Sequence, residues 1–303
     1  AAVELPMETM TEGLQFPEGP VAMADGSVLV VEIRRGTLSR CLPDGAVEVV
    51  AHCGGGPNGA AIGPDGKVYI TNNGGFAWVD GMPTTESADY VTGSIQRVDL
   101  ASGAVETIYT DCAGFPLKGP NDLVFDHSGG FWFTDPGKRR ARDRDRGGLY
   151  YARADGSEIR EVIYPLNHPN GVGLSPAGDR VYVAETETAR VFSWALDGPG
   201  SIAGYQGPER TRATLLAGLG GWQWLDSLAV DADGNVCVAT IRNGGITVIS
   251  PDGASIEHVP TGDAVTTNIC FGGADLRTAY ITASHGGRLL RTRWPCAGLP
   301  LAF

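Results

Sequence analysis

The sequence predicts an all-β fold, specifically a six-bladed β-propeller closed by its N-terminal strand. Three observations carry that prediction: one hairpin unit recurs six times, each copy leads into further strand-like runs, and the last copy is one strand short. The copies are "PEGPVAMADGSVLVVE" from Pro17, "PNGAAIGPDGKVYITN" from Pro57, "PNDLVFDHSGGFWFTD" from Pro120, "PNGVGLSPAGDRVYVAE" from Pro169, "LDSLAVDADGNVCVAT" from Leu225 and the degenerate "TNICFGGADLRTAYITA" from Thr267. Each reads as an apolar strand, a Gly-bearing turn and a second apolar strand.

A third strand follows in runs such as "GTLSRCLPDG" and "GGITVISPDG", and a fourth in "AVEVVA", "AVETIYT", "EIREVIY", "RATLLA" and "SIEHVP". Four strands to a unit, repeated radially, make propeller blades. After "GRLLRTRW" the sixth unit runs into "PCAGLPLAF", so "VELPMETMT" near the N-terminus is free to complete it. An open solenoid of the same units would leave strand edges exposed. The longer gaps at 74–93, 136–147 and 199–213 are expected to be loops on the propeller face. Within the second, the mixed-charge run "KRRARDRDR" at 138–146 reads as a solvated loop close enough to Asp135 to act as a lid.

A chain of 303 residues fits one propeller domain over 1–303. The net charge of −12 excludes nucleic acid and an anionic membrane surface as principal partners, since both need a basic face. No run is long and apolar enough for a membrane span, and "AAVELPMETM" lacks a signal-peptide pattern, so the expected location is cytoplasmic. The six cysteines have no CxxC spacing and read as reduced thiols. A small-molecule substrate and a monomer or small homo-oligomer complete this expectation.

Superposing the copies puts Glu18, Asn58, Asn121, Asn170, Asp226 and Asn268 at the start of the innermost strands, facing the channel at one mouth. A ring of carboxylate and amide oxygens with no basic member suits a hard cation such as Ca²⁺. A single Asn there would more simply brace a turn. The antiparallel second strands return to the same mouth, bringing Glu32, Asn72, Asp135, Glu185 and Thr240 as candidate substrate contacts. His285 in "TASHGG" and His168 before "PNG" also fall near it, as do Phe16, Phe76, Trp78, Trp222 and Trp224. There is no GxSxG elbow.

Through "PEGP" at 17–20, "GPND" at 119–122, "PNG" at 169–171 and "LDS" at 225–227, the chain resembles the SMP-30/gluconolactonase/LRE family of six-bladed propellers. That resemblance implies one divalent cation, Ca²⁺ first, with Zn²⁺, Mn²⁺ or Fe²⁺ also found in the family. It places the metal on Glu18, Asn121, Asn170 and Asp226, with Asn121 also close to substrate. Asn58 and Asn268 fall outside the family's usual ligand set and are given substrate-side roles.

The resemblance further implies lactone hydrolysis, of a sugar lactone first, with Asp226 as the catalytic base that directs water or attacks directly. Broader esterase or organophosphate hydrolysis at the same metal is a second reading. A binding module with a purely structural metal is a third.

Overall fold

The structure, a computed structural model, describes residues 2–204 and 213–303, and those residues contain strands and turns but no helix. Six antiparallel sheets follow the six repeats. Blade 1 runs Pro17–Ala22, Val28–Glu32, Thr37–Cys41 and Val47–His52, each strand hydrogen-bonded to the next. The innermost strands of blades 2 to 6 are Pro57–Ile62, Leu123–Phe125, Pro169–Leu174, Trp224–Val230 and Thr266–Gly272.

Blade 6 takes Thr266–Gly272, Thr278–Ala283 and Arg288–Arg293 from the C-terminal part of the chain and Glu8–Thr11 from the N-terminal part. Its outer register, Glu8 opposite Arg291 and Thr9 opposite Leu290, closes the ring as the repeats predict.

The second strand of each blade is buried at nearly every position because both of its faces are covered. In blade 1, Val28 and Val30 pack toward blade 6 with Met10, Tyr280 and Leu289, while Leu29 and Val31 pack toward blade 2 with Val68 and Ile70. This is the period-2 alternation of a strand serving two neighbours at once. The apolar core is therefore distributed over the blade interfaces. Trp132 and Trp194 both belong to the cluster between blades 3 and 4, and both are fully buried.

One of the three long gaps carries a hairpin of its own, and a second is a loop braced against it. Residues 74–93 carry a hairpin, Phe76–Val79 with Met82–Glu86, turned by Asp80 and Gly81, both at positive φ. Residues 136–147 fold against it: the Glu86 amide donates to the Arg139 carbonyl, and Arg140 pairs with Asp143, Asp145 and Glu86.

Lys138, expected to be solvated, is only 2% exposed. Both segments join second to third strands and so lie at the mouth where the innermost strands begin. Residues 199–213 join a third strand to a fourth, which puts that connection at the opposite end; Ser201–Ile202 pairs with Arg190–Gly198, and 205–212 lie outside the described residues. All six cysteines are free thiols. Among the described residues no helix is long and apolar enough to cross a membrane.

Candidate functional site

A shared local distortion aims the ring residues. In blades 1, 2, 4, 5 and 6 the register between the first two strands slips at the mouth, between Glu18 and Val21, Pro57 and Gly59, Pro169 and Val172, Leu225 and Leu228, and Thr266 and Asn268. An irregularity of this kind re-aims a side chain that a regular pleat would send elsewhere.

The glycine after the ring residue in three blades makes room for the next blade. A Cβ on Gly19, whose φ is +52°, would sit 2.9 Å from the Ala60 nitrogen, and one on Gly171 would sit 2.7 Å from the Asp226 carbonyl. Gly171→Val is therefore expected to cost about 1–3 kcal/mol by overpacking, read as a lower melting temperature.

The six ring residues divide by how their polar atoms are used. Glu18, 1% exposed, accepts from Ser227 Oγ (2.9 Å), from Asn268 Nδ2 (2.7 Å) and from the Gly19 amide. Asn268 Oδ1 is bonded to the Ile269 amide, so Asn268 serves as a donor to Glu18. Asn58 Oδ1 is likewise taken, by Asn73 Nδ2 at 2.9 Å. The buried Oδ1 atoms of Asn121 and Asn170, by contrast, have no hydrogen-bond partner, although Asn170 Nδ2 reaches Thr186 Oγ1 at 3.3 Å. Burying an acceptor without a donor is costly, and such an atom asks for a ligand.

The acids give the same indication. Burial and then the charges of Asp226 and Asp122 push Glu18 well above the usual carboxylate range. Burial pushes Asp226 up to about 7, against opposing hydrogen bonds from Ser227 and Asn170. No Lys or Arg stands among the strongest influences on Glu18, Asp122 or Asp226. Mutually repelling buried carboxylates with no counter-ion favour either a proton or a cation.

Among the described residues no three His, Cys, Asp or Glu side chains converge on one coordinating point, so a cation here would need the two amide oxygens as well. Glu18, Asn121, Asn170 and Asp226 together offer an all-oxygen donor set of the kind hard divalent cations take.

Asp122 is a site residue that the sequence reading passed over. It is 7% exposed, and burial raises it to about 7, with the Leu123 and Val172 amides opposing. It occupies the slot that is Gly19, Gly59 and Gly171 in other blades. An acid in a glycine slot was the available signal.

The residues at the ends of the second strands have other work. Asn72 Oδ1 accepts from the Gly56 and Gly74 amides, and its Nδ2 donates to the Gly54 carbonyl and Gln96. Asp135 accepts from the Lys118, Gly119 and Gly137 amides. Glu185 accepts from the Asn167 amide and Thr188 Oγ1, and Glu32 from the Gln15 amide, Thr37 and Ser39. These contacts brace the mouth loops.

Trp222 is 70% exposed beneath the Arg242 guanidinium, and exposed His285 has Nε2 3.4 Å from the Asp80 carbonyl oxygen, at the hairpin turn. His168 is paired with Arg144 at 2.7 Å and is no ring member. Phe16 and Trp78 meet edge to face at 5.3 Å in an apolar cluster with Ile33, Val265, Phe76 and Met82, so the hairpin reaches from blade 2 across blade 1 toward blade 6.

A cavity of about 620 Å³ lies on the other side of the ring, its walls including Val21, Leu123, Leu228 and Ile269, with residues 299–303 along it.

A six-bladed propeller with an acid–amide ring at one mouth is the architecture the structure defines, and the chain belongs to the SMP-30/gluconolactonase/LRE-like family, whose model matches residues 16–285. Among curated proteins it is 25% identical to a gluconolactonase of Zymomonas mobilis over 96% of this chain and 82% of that one. It is 30% identical to the lactonase drp35 of Staphylococcus saprophyticus, covering 84% and 72%.

Among solved structures it is similar to a gluconolactonase from Xanthomonas campestris (TM-score 0.74, 23% identity, 95% and 89% covered). It is also similar to a calcium-binding protein, regucalcin, from Agrobacterium tumefaciens (TM-score 0.77, 19% identity, 99% of each chain). These structural likenesses bear on the fold.

Proposed function

We propose that this chain is a lactonase that opens the ring ester of a small lactone, a sugar lactone first, at the channel mouth, with one divalent cation held by Glu18, Asn121, Asn170 and Asp226. The observation that carries the metal reading is the pair of buried, partnerless Oδ1 atoms of Asn121 and Asn170 beside the Glu18 and Asp226 carboxylates. The gluconolactonase and lactonase relatives support the reaction, and the calcium-binding regucalcin supports Ca²⁺ as the first ion to try. A bound divalent cation supplies Lewis-acid polarisation of a carbonyl and eases deprotonation of water.

The protein's own groups do the rest. Asp226 accepts a proton from the attacking water as its oxygen bonds to the carbonyl carbon. The bond from that carbon to the ring oxygen then breaks, and the proton returns to the departing alkoxide, so lactone plus water gives one hydroxy acid. Ser227 and Asn268 occupy both Glu18 oxygens, so the proton is assigned to Asp226.

The test is to strip the protein with a chelator and follow acid release from sugar and aliphatic lactones while restoring Ca²⁺, Mn²⁺, Zn²⁺ or Fe²⁺ singly. Turnover should vanish and return with one ion. Turnover indifferent to chelation refutes the metal, and a panel with no turnover under any ion refutes the lactonase.

A further inference from the structure

We propose that Asn58 is a catalytic hydrogen-bond donor, its Nδ2 meeting the substrate carbonyl oxygen as negative charge gathers there, and that Asn73 and Lys138 are the positioning residues that hold it donor-first. This rests on the lactonase reading above.

The orientation follows from a chain of bonds that begins outside the ring. Lys138 Nζ donates to the carbonyls of Asn73 and Gly75, both at 2.9 Å, and lies over the Phe76 ring at 3.9 Å and the Tyr90 ring at 5.2 Å. Two carbonyls and two π faces are what a desolvated ammonium requires. Held in this way, the turn keeps the Gly75 amide 2.7 Å from Asn73 Oδ1, and Lys138 Nζ is 3.5 Å from the same oxygen. Donors on that side leave Asn73 Nδ2 facing Asn58, where it donates to Oδ1 at 2.9 Å.

Asn58 therefore turns its own Nδ2 away from Asn73. That atom makes no hydrogen bond to the described residues and is not a sealed orphan like the Asn121 and Asn170 oxygens. It belongs to the ring between Glu18 and Asn121.

The chemistry gives such a donor work beside the cation. As water attacks, the carbonyl π pair moves onto oxygen, and when the carbon–ring oxygen bond breaks the pair returns. The Asn58 proton stays on nitrogen throughout and only strengthens its bond while the charge is present. Of the other ring amides, Asn268 has its NH₂ group engaged with Glu18 and Asn170 with Thr186, while Asn121 is the amide whose buried Oδ1 is assigned to the cation. Losing one oxyanion donor typically costs about 10²–10³ in kcat.

A double-mutant cycle tests the relay. Asn73→Asp replaces the donor facing Asn58 with an acceptor and gives Lys138 a carboxylate partner, so the turn is retained while Asn58 rotates and offers its oxygen to substrate. With δ-valerolactone, Asn58→Ala and Asn73→Asp are each expected to lower kcat about 100-fold, with KM nearly unchanged. The double variant should be no slower than Asn58→Ala alone, because both changes remove the same bond. Wild-type kcat in Asn73→Asp, or losses that multiply, overturns the proposal.

Calorimetric binding of δ-valerolactam, whose carbonyl accepts the same bond without ring opening, repeats the cycle independently of turnover. A wild type that binds the lactam but hydrolyses no lactone overturns the hydrolase reading, and the lactam cycle then decides the donor. A wild type that does neither overturns both.

Discussion

Asp226→Asn is expected to reduce lactone turnover by about 10³-fold or more, in the range of losing a general base, while leaving the metal-free fold at least as stable as before. The first half follows from removing the group that takes the proton from water; about 10³-fold corresponds to about 4 kcal/mol of barrier.

The second half follows from the electrostatics. The folded-state pKa of Asp226 is raised to about 7 by burial, so in metal-free protein its ionisation opposes folding. A raised pKa means that the folded state binds a proton the unfolded state has already released, so stability is fully present below the ordinary carboxylate range and lost as pH rises toward 7. Metal-free wild type should therefore lose more melting temperature between pH 5 and pH 8 than metal-free Asp226→Asn. Parallel pH–melting curves would show that Asp226 carries no such penalty, and turnover within tenfold of wild type would remove it from the chemistry.

The ring was legible because the sequence repeats it: Glu18, Asn58 and Asn170 recur in nearly identical words, and superposing the copies needs only the strand period. What the repeats hid was how each amide is turned. Asn58, Asn121, Asn170 and Asn268 are equivalent by position, yet Asn58 and Asn268 have their oxygens bonded while Asn121 and Asn170 do not. For Asn268 the acceptor is taken by the amide of its own neighbour, Ile269, and for Asn58 by Asn73, which lies one residue past its copy of the repeat.

The hairpin at 76–86 did have a local signature, since "VDGM" places Asp-Gly between apolar residues as a two-residue turn demands. Lys138 had none. Standing in a charged run it reads as solvent-facing, and its burial depends on carbonyls of Asn73 and Gly75 and on the rings of Phe76 and Tyr90, which come from another blade.

Met10→Asp is expected to be the most destabilising single change, because it strikes the seam where the two ends of the chain meet. Met10 is 6% exposed and packs with Tyr280 and Leu289 of blade 6 and with Val28, Val30 and Cys41 of blade 1. A carboxylate there has no basic partner within the cluster, and an unpaired buried polar group costs about 3 kcal/mol or more. At about 2 °C per kcal/mol for a chain of this size, the melting temperature should fall by about 6–10 °C.

Thr9→Asp is the control: it changes the same strand at an exposed position and should leave the melting temperature nearly unmoved. The shape of the transition carries the architectural content. In a closed ring, weakening one interface weakens the whole, so Met10→Asp should melt in one cooperative step at lower temperature. An early partial transition, with the other blades melting at the wild-type temperature, would mean that the strand Glu8–Thr11 merely decorates an array stable without it.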